Sequence, residues 1–222
     1  MSYWYLFAFC GGAYLIGNIN FSILVGKFIL RDDIRKKGSG NPGASNMLRN
    51  FGFKWGILIL FLDMLKGAIP AIVGLVVYGD GYSANPMHAV TTQSGQIAMY
   101  ACGLAAVVGH CFPFWTGFRG GKGMATTVGV FVVANPAIGF GGLLLGMFLV
   151  SIFKYPTISS FVFITLAVLW EGIAKNPSIT VYALLATFYF LSLFTHRSNI
   201  YRLLCGNEKP ANLFKRKKAG NK

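Results

Sequence analysis

The chain has 222 residues, is 55% hydrophobic and only 12% charged, and carries a net charge of +14. That balance excludes an ordinary soluble domain and fits a polytopic membrane protein. Nucleic acid is excluded as the partner behind the charge, because no basic and aromatic module stands outside the apolar runs.

Apolar runs of spanning or near-spanning length begin near Tyr3, Trp55, Gly95, Met124, Ala137, Thr157 and Ser178. A hydrocarbon core of about 30 Å takes roughly 20 helical residues. The first run has no basic segment before it and no small-residue cleavage pattern after it, so it reads as a retained span. Behind it comes "KGSGNPGASNMLRNFG", 37–52, which is polar, turn-rich and free of acids. Ser39, Gly40, Asn41, Ser45 and Asn46 offer hydroxyl, amide and backbone partners there. Arg49, one helical turn beyond Asn46, offers a fork suited to phosphate oxygens. In the second span, "DMLKG" sets Asp63 and Lys66 one turn apart. Charges at that depth need partners, and the spacing predicts that the two pair with each other.

The third run leads into "GHCFPFWTGFRGGKGMAT", 109–126. This is not a nucleotide-triphosphatase loop: Thr116 stands where that pattern requires glycine, and Gly123 where it requires serine or threonine. The physics still points to an anion. Gly120, Gly121 and Gly123 predict backbone N–H groups turned toward a ligand at the head of a helix, with Lys122 adding a full charge. The apolar stretch that follows, 124–153, is too long for one simple span and contains Asn135-Pro136. Proline breaks the helical ladder and its predecessor avoids the α region. Read as a turn, the pair gives a short and an ordinary helix and seven spans; read as a kink, it gives six. The last span runs into "HRSNIYRLLCGNEK", 196–209, where a helix would put His196 and Asn199 on one face. Arg202 follows. Glu208, the only acid of that tail, is expected in a salt bridge with Lys209 or a neighbouring arginine.

Charge selects the seven-span reading. With the N-terminus outside, 18 of the 20 Lys and Arg residues fall on one side, including "KRKK" at 215–218. Basic residues concentrate on the cytoplasmic side, so the C-terminus and all three polar segments are expected there. Attraction to anionic lipid follows from the same charge. The four cysteines show no paired spacing and read as small apolar residues. Residues 1–222 read as one membrane domain, with a short basic cytoplasmic tail at 209–222 and no metal or cofactor signature.

Together "GSGNPGASNMLR", "GHCFPFWTGFRGGKGMAT" and "HRSNIYRLLCGNE" resemble, in order, the three signature motifs of the bacterial acyl-phosphate:glycerol-3-phosphate acyltransferase family. The "DMLKG" element and the seven apolar runs resemble it too, over nearly the whole chain. Three features depart from the family pattern: "GNINFS" at 17–22, Ser45 in place of a common threonine, and Arg119 in place of a frequent lysine. The resemblance implies an all-α protein of seven transmembrane helices in the bacterial plasma membrane. It implies transfer of a fatty acyl group from acyl phosphate to the 1-hydroxyl of glycerol 3-phosphate, giving lysophosphatidic acid and phosphate. Membrane lipid would surround it, and functional coupling to the soluble enzyme that makes acyl phosphate is implied as well.

Two phosphate-bearing substrates require two anion sites at one membrane face. Residues 39–49 and 120–123 supply them, with Arg202 as a further cation, and Lys122 is placed to stabilise the departing phosphate. Ser39, Lys122, His196 and Asn199 are the expected catalytic group. Gly40, Asn41, Asn46, Arg49, Gly120, Gly121, Gly123 and Arg202 are the expected binding group. The histidine–aspartate pair of another acyltransferase class is excluded, since Gln93, Trp115 and Tyr201 stand five residues after His88, His110 and His196. The missing carboxylate leaves His196 or the donor phosphate itself to take the hydroxyl proton. A transporter of phosphorylated solutes is the competing reading. Against it, no inverted repeat is visible and the polar residues gather at one face, not at the midplane.

Overall fold

A computed structural model describes residues 3–79, 92–208 and 210. His88 and most of the expected basic tail, including 215–218, lie outside the described residues. Among the described residues the protein is all helix, with no strand. In chain order the α-helices are α1 (Tyr3–Gly17), α2 (Phe21–Leu24), α3 (Ala44–Phe51), α4 (Phe53–Tyr78), α5 (Gln93–Cys111), α6 (Met124–Ala134), α7 (Pro136–Phe153), α8 (Pro156–Lys175) and α9 (Ile179–Leu204). The long helices start within two residues of the positions where the apolar runs begin.

Among the described residues six helical segments are long and apolar enough to cross a membrane: Trp4–Ile29, Phe53–Tyr78, Gln93–Thr116, Pro136–Phe153, Pro156–Lys175 and Ile179–Leu204. The seventh apolar helix of the sequence reading, α6, is the short one expected before Asn135-Pro136. It has 11 residues, about 16 Å at about 1.5 Å per residue, short of a core of about 30 Å. Asn135-Pro136 is a turn, as its chemistry dictates. Asn135 is extended and its Oδ1 accepts from the Ala137 and Ile138 amides at 3.1 and 3.3 Å, while Pro136 occupies the first helical position of α7. The chain therefore turns straight back, with Gly139 against Val132. Since α7 has 18 residues, the head of α6 falls about 10 Å short of the far end of α7. The loop carrying Lys122 is drawn into the bundle by that difference.

Helix α6 is held at both flanks and at its end. Against α4 the backbones nearly touch: a Cβ added to Gly67 would lie 2.0 Å from the Thr126 carbonyl oxygen, and one added to Gly129 would lie 2.0 Å from that of Met64. Small residues permit this approach, which substitutes for the hydrophobic drive that lipid does not provide. On the other side Phe131 makes edge-on contacts with Phe163 of α8 and Phe188 of α9, at ring centroid distances of 6.0 and 5.8 Å. At its C-terminus the Lys175 ammonium donates to the Ala134 carbonyl at 3.0 Å and pairs with Glu171 at 2.9 Å. Glu171 in turn accepts the Tyr100 hydroxyl of α5 at 2.6 Å. A helix end in a dry interior needs such partners.

The outer surface is apolar, with Phe7, Phe61, Ile69, Leu144, Phe148, Ile173 and Phe190 exposed on the long helices. This is the expected face of a multi-pass membrane protein. The α4–α6 contact sets a test. Gly129→Ala is expected to destabilise the protein by about 1–3 kcal/mol, because the obstructing atom is backbone oxygen. Gly141→Ala on α7, where a Cβ meets nothing within 4 Å, should leave thermal unfolding in detergent unchanged or slightly raised. Equal unfolding temperatures for the two variants would refute the close packing of α4 on α6.

Candidate active site

The first polar segment is organised by Asn46, in the first turn of α3. Its buried amide donates to the carbonyls of Ile34 and Lys37 at 3.2 and 3.0 Å. Its Oδ1 accepts the Ser39 amide at 3.2 Å. Asn46 thus folds the 34–40 loop over the start of α3 and fixes Ser39. Ser39 sits between Gly38 and Gly40, whose φ angles of +57° and +70° are left-handed. The serine hydroxyl is thereby pushed out from the loop, where it accepts the Asn41 amide at 3.4 Å. Arg49 lies one turn beyond Asn46, half-buried, and burial pulls its guanidinium below the usual range. Arginine still stays charged.

The second segment is anchored on α1 and α5. Tyr14 donates to the Phe112 carbonyl at 2.9 Å, and Asn18 accepts the Phe114 amide at 2.8 Å. The "GNINFS" stretch therefore has a local purpose: Asn18 holds this loop, and Asn20 caps α2 through the Ile23 amide. Gly120 and Gly121 differ from expectation. Their N–H groups donate to the carbonyls of Cys111 and His110 at 3.0 and 3.1 Å, so they are spent on the protein. The donors left for an anion are the first amides of α6, which opens at Gly123 (φ +78°), together with the Lys122 ammonium.

The third segment completes the wall. His196 and Asn199 lie on one buried face of α9. His196 Nδ1 is 2.9 Å from the Ser192 carbonyl oxygen. Only a protonated nitrogen can donate there, which leaves the lone pair on Nε2. The ring also packs edge-on against Phe161 at 5.5 Å. Asn199 Oδ1 accepts from Lys122 Nζ, and its amide donates to Glu208 Oε1 at 2.6 Å. Arg202 pairs with Glu208 Oε2 at 2.8 Å. Glu208 therefore does form the expected ion pair, with Arg202, and it also orients Asn199 toward Lys122. Burial pulls the Lys122 ammonium down to about 8; the Glu208 carboxylate opposes the fall, and the Arg202 and Arg49 guanidiniums add to it.

Two cavities of opposite character meet at this wall. One, of about 320 Å³, has a polar end at Ser39, Arg49, Lys122 and His196. It continues between Phe53, Ile57, Leu60, Leu143, Met147 and Phe163. The other, of about 700 Å³, is lined by Arg35, Arg119, Arg197 and Arg202 with Gly40, Gly120, Gly121 and Thr195. Ser39, Asn41, Lys122 and Asn199 line both. Asp63 and His110 also reach the first cavity, and neither was expected there. Their signal in the sequence was burial of a charge, which the Asp63–Lys66 pairing at 3.0 Å already accounted for.

Comparison with known proteins agrees with this construction. The sequence profile of the family described as Glycerol-3-phosphate acyltransferase matches residues 7–206. A glycerol-3-phosphate acyltransferase of Halalkalibacterium halodurans is 38% identical over 205 residues, covering 89% of this chain and 91% of its own. One from Aquifex aeolicus is 36% identical over 199 residues, covering 88% and 94%. Among solved structures, the glycerol 3-phosphate form of PlsY (YgiH), an integral membrane glycerol 3-phosphate acyltransferase, superposes with a TM-score of 0.81. It is 32% identical, over 95% of this chain and 99% of that one. Its lysophosphatidic acid form superposes with a TM-score of 0.78. Shared sequence along almost the full length, and a shared helical fold, make this chain a member of the glycerol-3-phosphate acyltransferase family.

Proposed function

We propose that the protein transfers a fatty acyl group from acyl phosphate to the 1-hydroxyl of glycerol 3-phosphate, releasing lysophosphatidic acid and inorganic phosphate. The observation that carries this reading is the junction of the two cavities. The apolar one suits an acyl chain and the basic one a small phosphorylated polyol, and only Ser39, Asn41, Lys122 and Asn199 border both. The names of the relatives support glycerol 3-phosphate as acceptor. Acyl phosphate as donor rests on chemistry: a mixed anhydride needs little activation, and its compact head fits beside Lys122. The excess of basic residues at this end of the bundle supports a site on the cytoplasmic side of the bacterial plasma membrane, with the N-terminus outside. A cytoplasmic site would be open to functional coupling with the soluble enzyme that makes acyl phosphate.

In the step itself, the glycerol hydroxyl oxygen attacks the acyl carbonyl carbon and an ester bond forms. The bond from that carbon to the phosphate oxygen breaks, and its electron pair leaves with phosphate. Lys122 and the first amides of α6 stabilise the charge that grows there. Arg49 holds a phosphate through its fork, with Gly40, Asn41 and Arg202 nearby. Ser39 and His196 Nε2 align the hydroxyl. Its proton passes to an oxygen of the departing phosphate, since the two carboxylates that line the cavity, Asp63 and Glu208, are paired with Lys66 and Arg202.

Phosphate release from palmitoyl phosphate in the presence of glycerol 3-phosphate is the direct test. Turnover with acyl-CoA should be absent or minor; equal rates with acyl-CoA would overturn the choice of donor. Lys122→Ala should lower turnover by about 10²–10³-fold. An ammonium is charged below its pKa, so wild-type turnover should fall as pH rises through about 8. Lys122→Arg, whatever activity it retains, should lose that alkaline limb. His196→Ala should lower turnover while leaving the shape of the profile between about pH 5 and 8 unchanged. An equal loss of turnover in His196→Gln, which keeps a polar side chain but no base, would make the imidazole the base instead.

A further inference from the structure

Gly120 and Gly121 do not offer their N–H groups to a ligand, so their small size needs another cause, and His110 supplies it. This histidine is buried near the end of α5, and the 120–122 loop folds back on it. The Gly121 amide donates to the His110 carbonyl and the Gly120 amide to that of Cys111. A Cβ added to Gly121 would lie 1.9 Å from His110 Nε2 and 2.8 Å from its Cε1. The imidazole therefore fills the space directly against Gly121. On its other edge, Nδ1 lies 3.7 Å from Asp63 Oδ1. Asp63 pairs with Lys66 at 3.0 Å, and Lys66 also donates to the Ile19 carbonyl at 2.9 Å, at the break between α1 and α2. Asp63, Lys66 and His110 thus lie in a buried row between the end of α1 and the residue before Lys122.

We propose that His110, buried directly against Gly121, is a positioning residue whose imidazole sets the height of the Gly121–Lys122 backbone and so the position of the Lys122 ammonium. This rests on the reading that Lys122 serves the departing phosphate. The imidazole acts through the loop and takes no part in bond making.

The test is steric compensation. His110→Ala and Gly121→Ala should each lower turnover by about 10²-fold, the order expected when a catalytic group shifts by about 1 Å. The KM for glycerol 3-phosphate should move little in either. Combined, they should recover at least about tenfold over Gly121→Ala alone, because the new methyl takes the vacated space. Gly120→Ala is the control. Its Cβ would lie 2.1 Å from the His110 carbonyl oxygen, which is backbone, so His110→Ala should not rescue it. Should the alanine variant not fold in detergent, His110→Asn also vacates the Nε2 position and runs the same cycle. Multiplicative losses in the double variant, or equal rescue of Gly120→Ala, would overturn the proposal. Wild-type turnover in the same assay tests the proposed activity separately, so the two failures read differently.

Discussion

A loop can lie inside a membrane bundle only if its backbone hydrogen-bonding groups find partners in the protein, because the surrounding hydrocarbon offers none. The 112–123 loop meets that constraint residue by residue: Phe114 on Asn18, Gly120 on Cys111, Gly121 on His110, and the Lys122 carbonyl on the Thr195 hydroxyl at 3.2 Å. With the Gly120 and Gly121 amides taken in this way, the first amides of α6 are the ones left facing Lys122. The shortness of α6 then has a consequence for chemistry. A full-length seventh span would carry Lys122 out to the membrane surface, in water. An 11-residue helix keeps it within the bundle, half-buried beside Asn199.

That depth explains the electrostatics. Burial lowers the Lys122 pKa to about 8 but leaves the amine charged near neutrality, helped by Glu208. A protein carboxylate in direct contact with Lys122 would neutralise the charge that an anionic substrate needs. Glu208 avoids this by acting at one remove, through the Asn199 amide, while its second oxygen is taken by Arg202. The acid thus orients the site and moderates the excess of positive charge without occupying the place of the phosphate.

Much of this was legible in the sequence, and the parts that were share a property: they are local. The helix starts follow from apolar runs, the Asn135-Pro136 turn from proline sterics, and the shared faces of Asn46 with Arg49 and of His196 with Asn199 from helical periodicity. Asp63 and Lys66 were paired on spacing alone. What escaped depends on contacts distant in the chain. Tyr100 meets Glu171 across 71 residues, and Lys175 meets the Ala134 carbonyl across 41; nothing near any of them announces the partner. The glycines before Lys122 were misread for a related reason. Glycine next to lysine is compatible with a cradle of free amides and with close packing on a side chain. Only the position of His110 distinguishes the two. That the run after Met124 divides into a short and an ordinary helix was legible at Asn135-Pro136; how short the first is was not, since an apolar run signals burial but not depth.

The same short helix accounts for the meeting of two phases. Because α6 stops early, its head opens toward the apolar cavity bounded by α3, α4, α7 and α8, and its leading loop faces the basic one. An acyl chain has no reason to leave hydrocarbon, and a phosphorylated polyol has none to enter it. Each can remain in its own medium only if the reacting atoms meet at the boundary, and four side chains mark that boundary. A donor whose activated group is no larger than phosphate can reach it from the lipid side without dragging a soluble carrier into the bundle. On the proposed reading, a small leaving group is what this architecture suits, before any particular contact with it is considered.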